Sequence, residues 1–234
     1  MKLIGIVNKF SQYFILFLCF SFLILQKGKA QDDVAFYSLN GVSLSIPNKH
    51  KLTVYSIYSP NDKVATLLAL PTFTINKYFS FTAGYNYLVS KPGNGKTFTE
   101  NQLLPHLTVS IPLTKDWTLV DRNMYHHRFR NEGRNDLAFY RNRLGVVHKL
   151  NIFNKPSILY LHNEIFVNTM IGKFSRNRII TGTEIKAFKF LSPQLMYIFQ
   201  TDKGIGNRNL ILLILTVPLE NYGIFKKMPA KNKQ

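Results

Sequence analysis

The chain has 234 residues, 46% of them apolar, which is enough for one domain with a real core and too little for two. A formal charge of +18 would direct a soluble protein toward a polyanion such as nucleic acid, but the N-terminus moves that inference outside the cytoplasm. The single cysteine, Cys19, falls inside the N-terminal leader, so the exported chain has no disulfide scaffold, thiolate metal site or cysteine nucleophile.

Residues 1–30 read as a secretory signal. Lys2 and Lys9 form the basic region, Tyr13 to Leu25 the apolar run, and Gly28 and Ala30 the small residues before Gln31, so cleavage is expected after Ala30. The apolar run is shorter than the roughly 20 residues a spanning helix needs. Leu18 before Cys19 does not fit a lipoprotein cleavage box, which wants a small residue there. Loss of Lys2, Lys9, Lys27 and Lys29 lowers the formal charge to +14. Three segments are expected: the signal peptide 1–30, one domain over 31–225 and a basic tail over 226–234.

After Ala30, runs rich in Tyr, Phe, Thr, Ile and Val recur between clusters of Asn, Lys, Pro, Gly and Asp, the signature of strands and turns. Strands are expected at about 35–46, 51–59, 64–75, 78–90, 98–111, 116–131, 135–150, 157–168, 175–188, 191–201 and 208–219. Their alternation separates two faces. On 78–88, Phe79, Phe81, Ala83, Tyr85 and Tyr87 oppose Tyr78, Ser80, Thr82, Gly84 and Asn86. On 157–168, Leu159, Leu161, Ile165 and Val167 oppose Tyr160, His162, Glu164 and Asn168.

An exported, all-β chain with strands this long fits an antiparallel transmembrane β-barrel, because in hydrocarbon a sheet must close to pair all of its backbone amides. A soluble β-barrel or sandwich is the competing architecture and would turn the charges outward. The strands read from the sequence number eleven, whereas bacterial barrels of this kind have an even number. Ten to twelve strands are therefore expected, with twelve preferred, either through a turn at Asn40-Gly41 or through pairing after Pro218.

The charged side chains collect on one parity. Arg122, Arg128 and Arg130 share a face with His126, and Arg141 and Arg143 share one on the next strand. Glu164 and the set Arg176, Arg178, Glu184 and Lys186 follow on later strands. An arginine on the lipid face costs about 2–4 kcal/mol, so these ten residues are expected to face the lumen as a charged ladder, with the arginines pairing with Glu164 and Glu184. Asp121 and His127 have the opposite parity and suggest a rim position or a bulge.

Other chemistry is weaker. His126 and His127 are adjacent on a strand and point to opposite faces, so no metal site is expected. Ser110, Ser157 and Ser175 lack a hydrolase motif, and Lys91 to Thr97 lacks the spacing of a phosphate loop. His162 with Glu164 is the best acid–base pair available.

The segments FTAGYNYL (81–88), WTLVDRNMYHHRFR (117–130), FYRNRLGVV (139–147), ILYLHNEIFVN (158–168), SRNRIITGTEI (175–185) and LMYIFQ (195–200) resemble, in order and spacing, the bacterial outer-membrane family called domain of unknown function 2490. That resemblance implies a Gram-negative outer-membrane barrel of Bacteroidetes type and implies no activity. The chain departs from the family's pattern in its aliphatic last strand, Asn209 to Leu219, and in the extension through Phe225.

The expected function is a small outer-membrane barrel with an arginine-rich lumen, structural or a narrow passive pore, without cofactor or enzymatic activity. Its expected partners are outer-membrane lipids, lipopolysaccharide and the barrel assembly machinery, with Lys63, Lys91 and Lys96 offered to lipid A phosphates. Nucleic acid is not expected. The alternatives are an outer-membrane enzyme acting on lipid or lipopolysaccharide through His162 and Glu164, and a soluble periplasmic β-protein that binds a polyanion.

Overall fold

The computed structural model describes residues 33–91, 95–131, 133–186 and 190–219. The expected signal peptide, the extension from Glu220 to Phe225 and the tail 226–234 lie outside the described residues. Eleven strands form one closed barrel: β1 (Asp33–Ile46), β2 (His50–Ser59), β3 (Val64–Thr74), β4 (Phe79–Ser90), β5 (Phe98–Pro112), β6 (Trp117–Arg130), β7 (Leu137–Ile152), β8 (Lys155–Asn168), β9 (Lys173–Ile185), β10 (Ser192–Asp202) and β11 (Gly206–Pro218).

The turns show why the strands end where they do. Asn76 Oδ1 accepts the amides of Tyr78 and Phe79, and Thr114 Oγ1 accepts those of Asp116 and Trp117, so each side chain closes its own hairpin. Phe153 and Asn154 both have positive φ, as a two-residue turn matched to strand twist requires. The connection after β6 is held by Asn131, whose Oδ1 accepts the Thr99 amide at 3.0 Å.

Successive strands pair antiparallel around the barrel, and β1 closes it against β11 in parallel, from Asp33 opposite Arg208 to Ser43 opposite Pro218. An odd number of up-and-down strands makes this unavoidable, since the first and last then run the same way. Eleven lies within the expected ten to twelve but is one short of the preferred twelve. Asn40-Gly41 is no turn; it sits inside β1, paired with Ser56 and Tyr55.

The seam is fastened at both ends by side chains from β2 and the turn after it. At one end Asp62 accepts from Tyr37 of β1 and Arg208 of β11, and Asn61 Oδ1 accepts the Phe36 amide at 3.1 Å. Toward the other end the Tyr55 hydroxyl reaches Thr216 Oγ1 of β11 at 3.2 Å. Its ring crosses β1 over Gly41, where a Cβ would lie 2.3 Å from Tyr55 Cδ1. Tyr160 of β8 crosses Gly182 of β9 in the same way to bond Gln194 of β10. Glycine is needed at both places for space.

The two faces have opposite character. Ala35, Tyr160, Ile180, Ile198 and Leu210 pack inside as an apolar cluster against the β8–β11 and β1 side, with Ile180 fully buried. The arginines of β6, β7 and β9, with Glu100 of β5 and Glu164 of β8, share that interior parity. Outside stand Leu67, Phe73, Phe79, Phe81, Tyr85, Tyr87, Leu103, Leu107, Leu144 and Leu161, with Leu67 54% and Leu161 52% exposed.

Asp62→Ala removes the shared acceptor of Tyr37 and Arg208, and a loss of about 1–3 kcal/mol of stability is expected. Gly41→Val should also lower the unfolding temperature by displacing Tyr55. Thermal unfolding followed by circular dichroism checks both; parental melting in both variants would mean that these contacts do not hold the seam.

Candidate functional site

Register builds the central cluster. Across four neighbouring strands Arg122 lies opposite Arg143, Arg143 opposite Glu164, and Glu164 opposite Arg178. One step toward the end where β1 begins, Met124, Arg141, Phe166 and Arg176 form a second row. All of these side chains point inward, so four guanidiniums converge on one carboxylate.

Glu164 is fully buried. Its Oε1 accepts Arg122 at 2.9 Å, Arg141 at 3.0 Å and Arg143 Nε at 3.2 Å, while its Oε2 accepts a second Arg143 nitrogen at 3.2 Å and faces Arg178 at 3.7 Å. Below it the Phe166 ring carries the guanidiniums of Arg141, Arg178 and Arg176, at 4.3, 4.9 and 5.4 Å from its centre. The negative ring face offsets part of their mutual repulsion. One carboxylate still meets four permanent positive charges, so the centre of the interior keeps a positive surplus.

A second cluster gathers around Glu100 of β5. Arg128 bonds it at 2.7 Å, with Arg130 and Arg134 each at 3.4 Å. Glu100 also accepts Gln102 Nε2 at 2.9 Å, and Gln102 Oε1 accepts Asn86 Nδ2 at 3.0 Å. His126 links the two clusters. A guanidinium can only donate, so Arg141 fixes His126 Nδ1 as acceptor at 3.4 Å, and His126 Nε2–H then donates to Gln102 Oε1 at 3.2 Å. Two further pairs, Arg176 with Asp202 and Arg208 with Asp62, continue the ring of charge toward β11.

The ten ladder residues therefore fall into separate groups. Arg122, Arg141, Arg143 and Arg178 surround Glu164. Arg128 and Arg130 belong to Glu100, and Arg176 to Asp202. Glu184 and Lys186 lie toward the opposite end, lining a cavity of about 580 Å³ with Asp116, Lys149, Asn151 and Ser157. Glu184 takes no arginine from the ladder, contrary to the expected pairing. Parity assigns a side chain to a face and says nothing about its height along the axis.

Glu100, Arg134, Asp202, Asp62 and Arg208 were not among the expected residues. Glu100 shares parity with Gln102 and His106 on a strand next to the arginine-rich one, a signal that alternation alone could have supplied. Asp62 sits in a turn, where no alternation applies.

His126 and His127 point to opposite sides. His127 stands outside beside Phe129 at 4.2 Å and faces Asp136 at 3.5 Å. The Arg130 amide, 2.9 Å from Asp136 Oδ1, is the main reason that carboxyl lies below the usual carboxylate range. Asp121 shows neither bulge nor rim position: it lies within β6 in regular register, opposite Val109 and Leu144. His162 and Glu164 share the interior, but both Glu164 oxygens are taken by arginines, and His162 stacks on Tyr160 at 5.3 Å. Among the described residues no group of three or more His, Cys, Asp or Glu could hold a metal ion.

A family model described as Protein of unknown function (DUF2490) matches residues 62–210, from the turn after β2 into β11. No curated protein and no solved structure matches the chain.

Glu164→Gln leaves four guanidiniums around a neutral amide, and a loss of about 3–5 kcal/mol is expected, as for other buried charges stripped of their partner. Arg143→Met lowers the positive surplus and should cost less. Denaturant unfolding of the two variants measures the order; equal losses would contradict the central role of the carboxylate.

Proposed function

The chain belongs to this DUF2490 family, and from that premise we propose that it is a small outer-membrane β-barrel whose arginine-rich interior forms a narrow passive pore. One observation carries the reading. Aromatic and aliphatic side chains cover most of the outer wall while the arginine–glutamate clusters lie inside, the polarity that suits hydrocarbon outside and water or packed charge within. A closed ladder is also what a sheet in lipid requires.

The interior arginines face strands that do not neutralise them. From His50 to Ser90 the chain contains one acid, Asp62, and that residue is committed at the seam. A permeant anion would therefore be favoured over a cation. The apolar cluster around Ile180 fills part of the cross-section and keeps any passage narrow. A filled, purely structural interior is the second reading, favoured by the full burial of Glu164.

Lys63, Lys91 and Lys96 support contact with lipopolysaccharide phosphates. All three are exposed, and the Lys91 amide bonds the Lys63 carbonyl at 3.0 Å, which places these two on one rim. Secretion through the expected signal peptide and insertion by the barrel assembly machinery belong to the same proposal. Interior placement of the arginines weighs against a soluble protein that docks a polyanion. Engagement of Glu164 by arginines weighs against His162 and Glu164 as a catalytic pair.

Membrane fractionation should leave the protein in the pellet through a carbonate wash, with detergent needed to release it; release by carbonate alone would remove the membrane reading. In planar bilayers a small conductance with anion preference is expected, and Arg141→Gln with Arg143→Gln should shift the reversal potential toward cations. A folded, inserted barrel that conducts nothing would leave the filled interior.

A further inference from the structure

The outer wall is not uniformly apolar. On β3 and β4 its side chains are Ala65, Leu67, Ala69, Pro71 and Phe73, then Phe79, Phe81, Ala83, Tyr85, Tyr87 and Val89. Across β6 to β9 the same face carries Asp121, Asn123, Asn142, Asn163 and Asn177 in the body of the strands. Asn123 and Asn142 are direct register partners. Asn163 sits opposite Leu144, two residues along β7 from Asn142, so the three amides make a row over three adjacent strands.

The row is tied together. Asp121 accepts Asn123 Nδ2 at 2.8 Å and Asn142 Nδ2 at 2.6 Å. Asn142 Nδ2 also reaches Asn123 Oδ1 at 3.2 Å, the Tyr140 hydroxyl donates to the same oxygen, and Asn163 Nδ2 donates to Asn177 Oδ1 at 2.8 Å. Two donors fill only part of an ionised carboxylate, which has about four lone-pair sites. Facing lipid, this patch would hold a charge and several amide groups in hydrocarbon, where unsatisfied polar groups are expensive and mark function.

We propose that this patch is the contact between two copies of the chain side by side in the membrane, an inference that rests on the membrane reading above. Complementarity selects the partner. A carboxamide both donates and accepts, so a row of three matches a copy of itself turned by a two-fold axis parallel to the barrel axis. Asn142 then meets Asn142 of the second copy, and Asn123 meets Asn163. Asp121, at the β6 side of the row, faces the β8 side of the second copy, where the Asn163 amide can donate, and the two like charges stay apart. Such a contact closes on itself as a dimer. Tyr125 and Tyr140, 47% and 40% exposed on the same face, add side chains of the aromatic type that is enriched at protein contacts. Polar side chains across such a contact stabilise association inside a bilayer.

The test uses the full chain in its own membrane. Cys19 is the only cysteine and lies in the expected signal, so a single introduced thiol reports unambiguously. Asn142→Cys, oxidised with copper phenanthroline in isolated membranes, should give a reducible band of dimer size. Phe81→Cys, on the far wall, should give severalfold less. Adding Asp121→Leu to Asn142→Cys should reduce the dimer, and the unaltered protein in lipid nanodiscs should have the mass of two chains. Equal cross-linking at both positions, a cross-link only to a different protein, or a single-chain mass in nanodiscs would overturn the proposal while leaving the membrane reading intact. Release of the protein by carbonate would fail that reading first.

Discussion

Closure of the hydrogen-bond ladder is the constraint on which everything else here depends. With eleven strands, β1 and β11 must meet in parallel, and their register sets which side chains stand inside. Because alternation has a period of two, a one-residue slip at the seam would turn a whole strand's apolar side chains to the wrong face. Asp62 and Tyr55 guard against that slip from opposite ends. Each joins β2, or the turn after it, to β11 across β1. The glycine at position 41 serves the same end by making room for a ring.

Once the faces are fixed, electrostatics decides the interior. Four arginines cannot be stacked around Glu164 without residual repulsion, and the structure spreads that cost over a carboxylate, the Phe166 ring and the His126–Gln102–Glu100 relay. The same surplus that makes the cluster dependent on Glu164 gives the proposed passage its preference for anions. Stability and selectivity are in that sense one property of the interior. The apolar cluster on the β8–β11 side supplies hydrophobic packing that a wholly charged interior would lack.

Much of this was legible in the residues. The strands β4, β6 and β8 alternate so regularly that their faces can be read directly from the residues. Long-range pairing left no comparable trace. Nothing in Ala35 or Leu210 announces that β1 and β11 are parallel neighbours, and without that pairing the sequence favours an even count of twelve. Height was equally invisible: Glu184 has the parity of Glu164 but sits near the other mouth. Parity alone marks Asp121 as a misfit and suggests a rim position or a bulge. The regular register of β6 keeps it outside, among asparagines on neighbouring strands that only the folded sheet brings together.

Trp117 gives the most direct access to the central claim, that the apolar outer wall faces lipid. It is the chain's only tryptophan, it is exposed on the outer face at the start of β6, and it stacks on His148 at 4.3 Å. With the folded protein in vesicles whose acyl chains carry bromine, the account predicts strong quenching of Trp117 fluorescence and little quenching by aqueous acrylamide. Emission that bromolipid leaves unchanged and acrylamide quenches freely would contradict it.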